Sequence, residues 1–116
     1  MIIQKRNGQY QDYDNNKIKK ALKKAFNSLN QKIRDNDLED IIKDIEQSLY
    51  DQINVEMIQD LVEESLMKHG YLQVAKAYIL YRQKHSEQRK VINELLDLLK
   101  DNDLEKVLLA QPEYSL

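Results

Sequence analysis

Apolar residues recur at three- and four-residue intervals along most of this chain, and that spacing predicts a run of amphipathic helices. Ile18, Ala21, Leu22, Ala25, Phe26 and Leu29 make the first stripe, with Asp14 or Asn15 as its N-cap and Asn30 near its end. A second helix starts between Asp35 and Asp37 and turns Leu38, Ile41, Ile42, Ile45 and Leu49 inward. Asn54 caps a third, with Val55, Ile58, Leu61, Val62 and Leu66 as its apolar face and Gly70 as its stop. A fourth runs from about Leu72 into the eighties. Beyond it, Val91, Ile92, Leu95, Leu96, Leu98 and Leu99 form a further amphipathic stretch, interrupted by Asp101-Asn102-Asp103. Leu104, Val107, Leu108 and Leu109 follow, and Pro112 ends the pattern.

The start of the chain reads differently. Residues 2–6 and 9–13 alternate loosely around Asn7-Gly8. Asn-Gly between two extended runs predicts a hairpin closed by a type I′ turn, because both residues tolerate positive φ. The fold class is therefore mainly α, a small N-terminal β-hairpin capping a four-helix core, with an additional C-terminal amphipathic helix. The core closes by about Lys84. The expected organisation is a domain over residues 1–86 and a helical appendage or tail over 87–116.

Composition narrows the function. The 116 residues are 41% hydrophobic and 33% charged, enough for one modest core beneath a heavily solvated surface. A formal charge of −2 gives no general attraction to nucleic acid or to an acidic membrane. There is no cysteine, which excludes disulfides, thiolate zinc sites and thiol catalysis, and fits a cytoplasmic location. The opening Met-Ile-Ile-Gln-Lys-Arg-Asn is too short and polar for a signal peptide. No apolar run approaches the roughly 20 residues of a membrane span. Neither a glycine-rich phosphate loop nor a dinucleotide fingerprint occurs, His69 and His85 stand apart, and no carboxylates pair for acid–base work. No catalytic residue and no metal ligand is expected.

Cations supply the remaining chemistry. Lys5 and Arg6 join a point charge to a planar fork, a combination suited to polyphosphate. Taken alone, the pair reads better as edge-strand charge that blocks aggregation. Lys20 and Lys24 lie opposite the apolar stripe and read as a solvated face. Lys17 sits in a helical first turn, where a cation opposes the helix dipole unless an anion binds there. Tyr78, Tyr81 and Arg82 share a helical face, which on spacing alone reads as ordinary helix packing with snorkelling cations.

Three separated motifs sharpen this. Ile3-Gln4-Lys5-Arg6-Asn7-Gly8, followed by Tyr13-Asp14 and Lys17-Ile18, resembles the opening of an ATP-cone, the nucleotide-sensing domain of ribonucleotide reductases. Ile53 to Val62 resembles the family's middle element, and Gly70-Tyr71 with Val74 to Arg82 its last helix. The resemblance spans residues 1–86. It implies a hairpin over four helices that binds ATP or dATP with Mg²⁺ and catalyses nothing. By resemblance, Lys5, Arg6 and Lys17 face phosphate, and Ile3, Ile18, Val55 and Ile58 line the base and sugar. Lys76, Tyr81 and Lys84 fall on the last helix, where related domains contact phosphate or a second nucleotide. Gln11 stands where some members carry Glu, and Val55 where some carry Thr. The implied partners are a second copy of the chain, in nucleotide-dependent homo-oligomers, and a ribonucleotide reductase subunit. The alternatives are a helical protein-interaction module without nucleotide, or a nucleic-acid-binding module built on the hairpin and the lysine-rich first helix.

Overall fold

A computed structural model describes residues 1–100. Strand β1 is Ile2–Gln4 and strand β2 is Tyr10–Asp12. Helix α1 is Asn15–Ser28, helix α2 is Asp35–Gln47, strand β3 is Ile53–Asn54 and helix α3 is Val55–Lys68. Helix α4 is Leu72–Leu99. The chain divides into two compact units, one over Met1–Ile79 and one beginning at Leu80, and α4 runs across the division.

In the first unit, β1 is the middle strand of three, in the order β2-β1-β3. It pairs antiparallel with β2, Ile3 opposite Gln11, and parallel with β3, Ile3 beside Ile53 and Gln4 beside Asn54. The third strand is absent from the hairpin expected from sequence. Two residues carry no readable alternation, and the pairing forms only when the α2–β3 connection returns to β1. That return is fastened at both backbone groups of Ile2. Its N–H donates to Asp51 Oδ1 at 2.9 Å and its C=O accepts from Gln52 N–H at 2.8 Å. Gln52 holds φ +68°, a left-handed conformation that a non-glycine residue adopts at some cost.

The hairpin turn also departs from expectation. A two-residue type I′ turn needs positive φ at both Asn7 and Gly8, but only Gly8 has it, at +85°. Gly8 N–H donates to Lys5 C=O at 3.0 Å and Lys5 N–H donates to Gln9 C=O at 2.7 Å. The loop is thus a Lys5–Gly8 turn followed by one left-handed glycine, which follows strand twist while asking positive φ of glycine alone. Asn7 instead uses its side chain, whose Oδ1 accepts from Gln9 N–H at 3.0 Å.

Helices α1 and α3 start and stop where their capping chemistry places them. Asp14 accepts from Asn16 N–H at 3.0 Å, and Asn54 accepts from Met57 N–H at 2.9 Å. α1 ends at a left-handed Asn30, with Gln31 N–H bonded back to Phe26 C=O at 3.0 Å. α3 ends the same way at Gly70, with Tyr71 N–H bonded to Leu66 C=O at 2.9 Å. Tyr71 then sets its ring edge-on to Phe26, centroids 5.1 Å apart.

The core is one apolar cluster. It takes Ile18, Ala21, Leu22, Ala25 and Phe26 from α1, Leu38, Ile41, Ile42 and Ile45 from α2, and Val55, Ile58, Val62 and Leu66 from α3. Ile3 and Ile53 enter from the sheet, and Val74, Ala75 and Tyr78 from the first two turns of α4. Leu49 and Leu61 are only partly buried, and Leu29 is exposed, because it caps α1 where the chain turns away. Two polar links tie helices together at the surface. Lys19 Nζ lies 2.7 Å from Glu39 Oε1 between α1 and α2. Between α2 and α3, Asp44 accepts from Ser65 Oγ at 2.7 Å and Lys68 Nζ at 2.9 Å.

The fourth helix does not stop in the eighties. Residues 82–99 contain neither Gly nor Pro, so nothing breaks α4, and the amphipathic stretch from Val91 to Leu99 is its continuation. The expected segment Leu104 to Leu109 and the stop at Pro112 lie outside the described residues. In the second unit, the rings of Tyr81 and His85 stack one turn apart, centroids 4.0 Å apart.

Candidate nucleotide site

The parallel register builds this region. Ile3 sits beside Ile53 and Gln4 beside Asn54, and two residues further along each segment the same offset of 50 recurs. There Arg6, in the β1–β2 turn, meets Glu56, in the first turn of α3. Arg6 Nε donates to Glu56 Oε1 at 3.0 Å. The Arg6 side chain is largely covered and that of Glu56 is half exposed. Lys5 and Arg6 therefore do not alternate across a strand, as an extended reading requires. β1 ends at Gln4, and both cations belong to the turn.

Lys17 reaches the same sheet from the other side. It is the third residue of α1, whose first turn holds no acidic side chain. Its Nζ donates to Gln11 Oε1 at 3.5 Å, and Gln11 is the β2 residue opposite Ile3. Gln11 thus stands as a neutral acceptor beside a cation. The expected solvated lysines, Lys20 and Lys24, are exposed.

The four aliphatic residues assigned to the base and sugar are all core members. Ile3, Ile18, Val55 and Ile58 belong to the one buried cluster and are each at most 5% exposed. They bring β1, the start of α1 and the start of α3 together in the core. Lys76 is exposed on α4 within the first unit. Tyr81 and Lys84 belong to the second unit, Tyr81 in the stack with His85 and Lys84 exposed. Tyr78 is buried in the first unit's core and does not present a wet tyrosine face.

Sequence reading passed over Gln59. One turn after Val55 and next to Ile58, it is only 3% exposed, and its Oε1 has no hydrogen-bond partner among the described residues. A buried amide oxygen without a partner costs on the order of 1–3 kcal/mol, which singles Gln59 out within the core. The signal was present as a lone polar residue within an apolar stripe. Glu56 was passed over as well, because its partner lies 50 residues away in sequence.

Nearby electrostatics are ordinary for a folded surface. Hydrogen bonds from Lys68 and then Ser65 hold the Asp44 carboxyl below its usual range. A hydrogen bond from Lys19 does the same for Glu39. Burial, reinforced by the Glu46 carboxylate, pushes the Tyr13 phenol upward. No group of three or more His, Asp or Glu positioned to hold a metal ion occurs among the described residues. No helix among them is long and apolar enough to cross a membrane.

Comparison with known proteins gives the same region a family. The model of the ATP-cone family, described as ATP cone domain, matches residues 1–87. The ribonucleoside-diphosphate reductase subunit alpha of Treponema pallidum (strain Nichols) is 30% identical over 131 aligned positions, covering 100% of this chain and 16% of that protein. The subunit alpha of Chlamydia trachomatis serovar D is 36% identical over 103 positions, covering 76% of this chain and 10% of the relative. That of Chlamydia pneumoniae is 39% identical over 102 positions, covering 77% and 10%. The chain thus spans only 10–16% of the length of these relatives.

Proposed function

The chain belongs to the ATP-cone family, and from that membership we propose that it is an adenine-nucleotide-binding regulatory domain. In this reading it binds ATP or dATP, catalyses nothing itself, and controls ribonucleotide reductase activity through nucleotide-dependent assembly. The nucleotide-binding domain is residues 1–86, and residues 87–116 are its appendage, helical through Leu99 among the described residues.

One observation carries the proposal. The cations that the family resemblance assigns to phosphate, Arg6 and Lys17, are held by Glu56 in the helix that follows β3 and by Gln11 of β2, the two strands that flank β1. Arg6 supplies a planar fork and Lys5 and Lys17 supply point charges, the donor set that a polyphosphate requires. The unpaired Gln59 oxygen offers an acceptor suited to an exocyclic amino group, which adenine has at its six position and guanine does not. In this reading Mg²⁺ arrives with the nucleotide, held by its phosphates. Ile3, Ile18, Val55 and Ile58 form the apolar floor, and Lys76, Tyr81 and Lys84 are reserved for a further phosphate contact or a second nucleotide.

Regulation follows from linkage. A nucleotide shifts an assembly only by binding one state better than another, so the domain needs no chemistry beyond differential affinity. Calorimetry with ATP, dATP and GTP in the presence of Mg²⁺ tests the reading. Binding of both adenine nucleotides, with GTP much weaker and no phosphate released, is the expected result. Absence of heat and of any thermal shift at millimolar ATP and dATP overturns it.

A further inference from the structure

The contact between Arg6 and Glu56 is imposed by the backbone. The parallel pairing of β1 with β3 fixes the turn beyond Gln4 beside the helix beginning after Asn54. The Asn54 cap fixes the first turn of α3, and Glu56 is the second residue of that helix. A carboxylate is favoured there by the helix dipole. Arg6 Nε and Glu56 Oε1 then stand 3.0 Å apart, with 21% of the arginine side chain and 51% of the glutamate side chain exposed.

This arrangement places an internal anion on the guanidinium that the nucleotide's phosphates need. Resting on the reading that those phosphates engage Arg6, we infer that Glu56 is a built-in competitor of the polyphosphate. Glu56 occupies the Nε–H of that fork, so a polyphosphate that takes the same N–H displaces the carboxylate, which then faces the incoming phosphates as a like charge. Both steps oppose binding. Glu56 therefore holds the affinity of the site down, and only toward ligands whose phosphates reach Arg6. The cost lies at the phosphate end and is the same for ATP and dATP. A nucleoside without phosphates does not incur it.

The test is a calorimetric titration of the wild type, Glu56→Gln and Glu56→Ala with ATP in Mg²⁺, alongside an NMR titration of each with adenosine. Glu56 is a surface position, and melting curves confirm that each variant folds. Both variants are expected to bind ATP about three- to fivefold more tightly, the scale of a partly exposed ion pair, with adenosine affinity unchanged. Wild-type binding with equal or weaker ATP affinity in a folded variant overturns the inference, because it makes Glu56 an orienting partner of Arg6. Equal tightening for adenosine also overturns it, because the effect is then not at the phosphates. A wild type silent to millimolar ATP overturns the nucleotide reading itself and this inference with it.

Discussion

Ile3 and Ile53 are neighbours in a parallel strand pair, and that single pairing decides which end of α3 meets the hairpin turn. Each is at most 3% exposed, so the pair is anchored by burial as well as by the ladder. A shift of one residue in this register would move Glu56 away from Arg6 and turn Ile53 out of the core.

The turn cations give the first prediction. Arg6→Ala and Lys5→Ala are expected to weaken ATP binding by roughly tenfold each, the scale of one charged hydrogen bond, with the far-ultraviolet spectrum unchanged. Lys20→Ala and Lys24→Ala, on the exposed face of α1, are expected to leave it unchanged. Equal losses at all four positions would show a diffuse field in place of a site.

Gln59 gives a prediction in which stability and binding move oppositely. Gln59→Leu replaces a buried amide, one of whose polar atoms is unpaired, with an apolar side chain of similar length. Its melting temperature is expected to hold or rise, while ATP affinity falls about five- to tenfold and the preference for ATP over GTP narrows. Thermal melts and competition calorimetry read both. Unchanged nucleotide preference would remove Gln59 from base recognition.

Asp44 joins α2 to α3 through Ser65 and Lys68. Asp44→Ala removes the 2.7 Å acceptor of the Ser65 hydroxyl, on a residue 1% exposed, leaving it the longer 3.5 Å contact with His69 Nδ1, and is expected to cost about 1–3 kcal/mol in denaturant melts. The pH dependence has a definite sign. Lys68 and Ser65 hold this carboxyl low in the folded state, so on acidification the unfolded chain takes up the proton first. The contribution is complete above the ordinary carboxylate value and fades as pH falls through the lower folded value. The gap between wild type and Asp44→Asn should therefore shrink as the pH falls below the ordinary carboxylate range. A gap that stays constant over that range would show that the carboxylate's charge is not what stabilises.

Assembly supplies the last prediction. Leu95 and Leu98 on α4 are exposed, and Ile92, Leu96 and Leu99 are only partly buried. With Ile92, Leu95, Leu96 and Leu99 at close to heptad spacing, this stretch is expected to join copies of the chain or to dock on a reductase subunit. Light scattering without nucleotide, with ATP and with dATP should give different masses. One monomer mass in all three conditions would exclude self-association, and co-elution with a reductase subunit, with and without residues 87–116, would then decide the docking form.

Local rules were enough for much of this protein. The inward faces of α1, α2 and α3 follow from three-four spacing, because a helix buries whichever stripe its sequence makes apolar. Asp14, Asn54, Asn30 and Gly70 mark helix ends because capping is settled within a few residues. The family motif likewise lies in short contiguous segments, Lys5-Arg6 and Lys17-Ile18 among them. Tertiary structure decided what depends on distant partners. β3 is too short to show alternation and exists only because Ile53 and Asn54 find Ile3 and Gln4. The turn at Gly8 departs from the Asn-Gly rule because closure at Lys5 and Gln9, not dipeptide preference, fixes its length. Whether Ile3, Ile18, Val55 and Ile58 meet, whether Arg6 faces solvent or Glu56, and whether the Gln59 oxygen finds a partner were all settled by packing across the core. A polar atom's satisfaction depends on neighbours brought from elsewhere in the chain, and no window of sequence contains them.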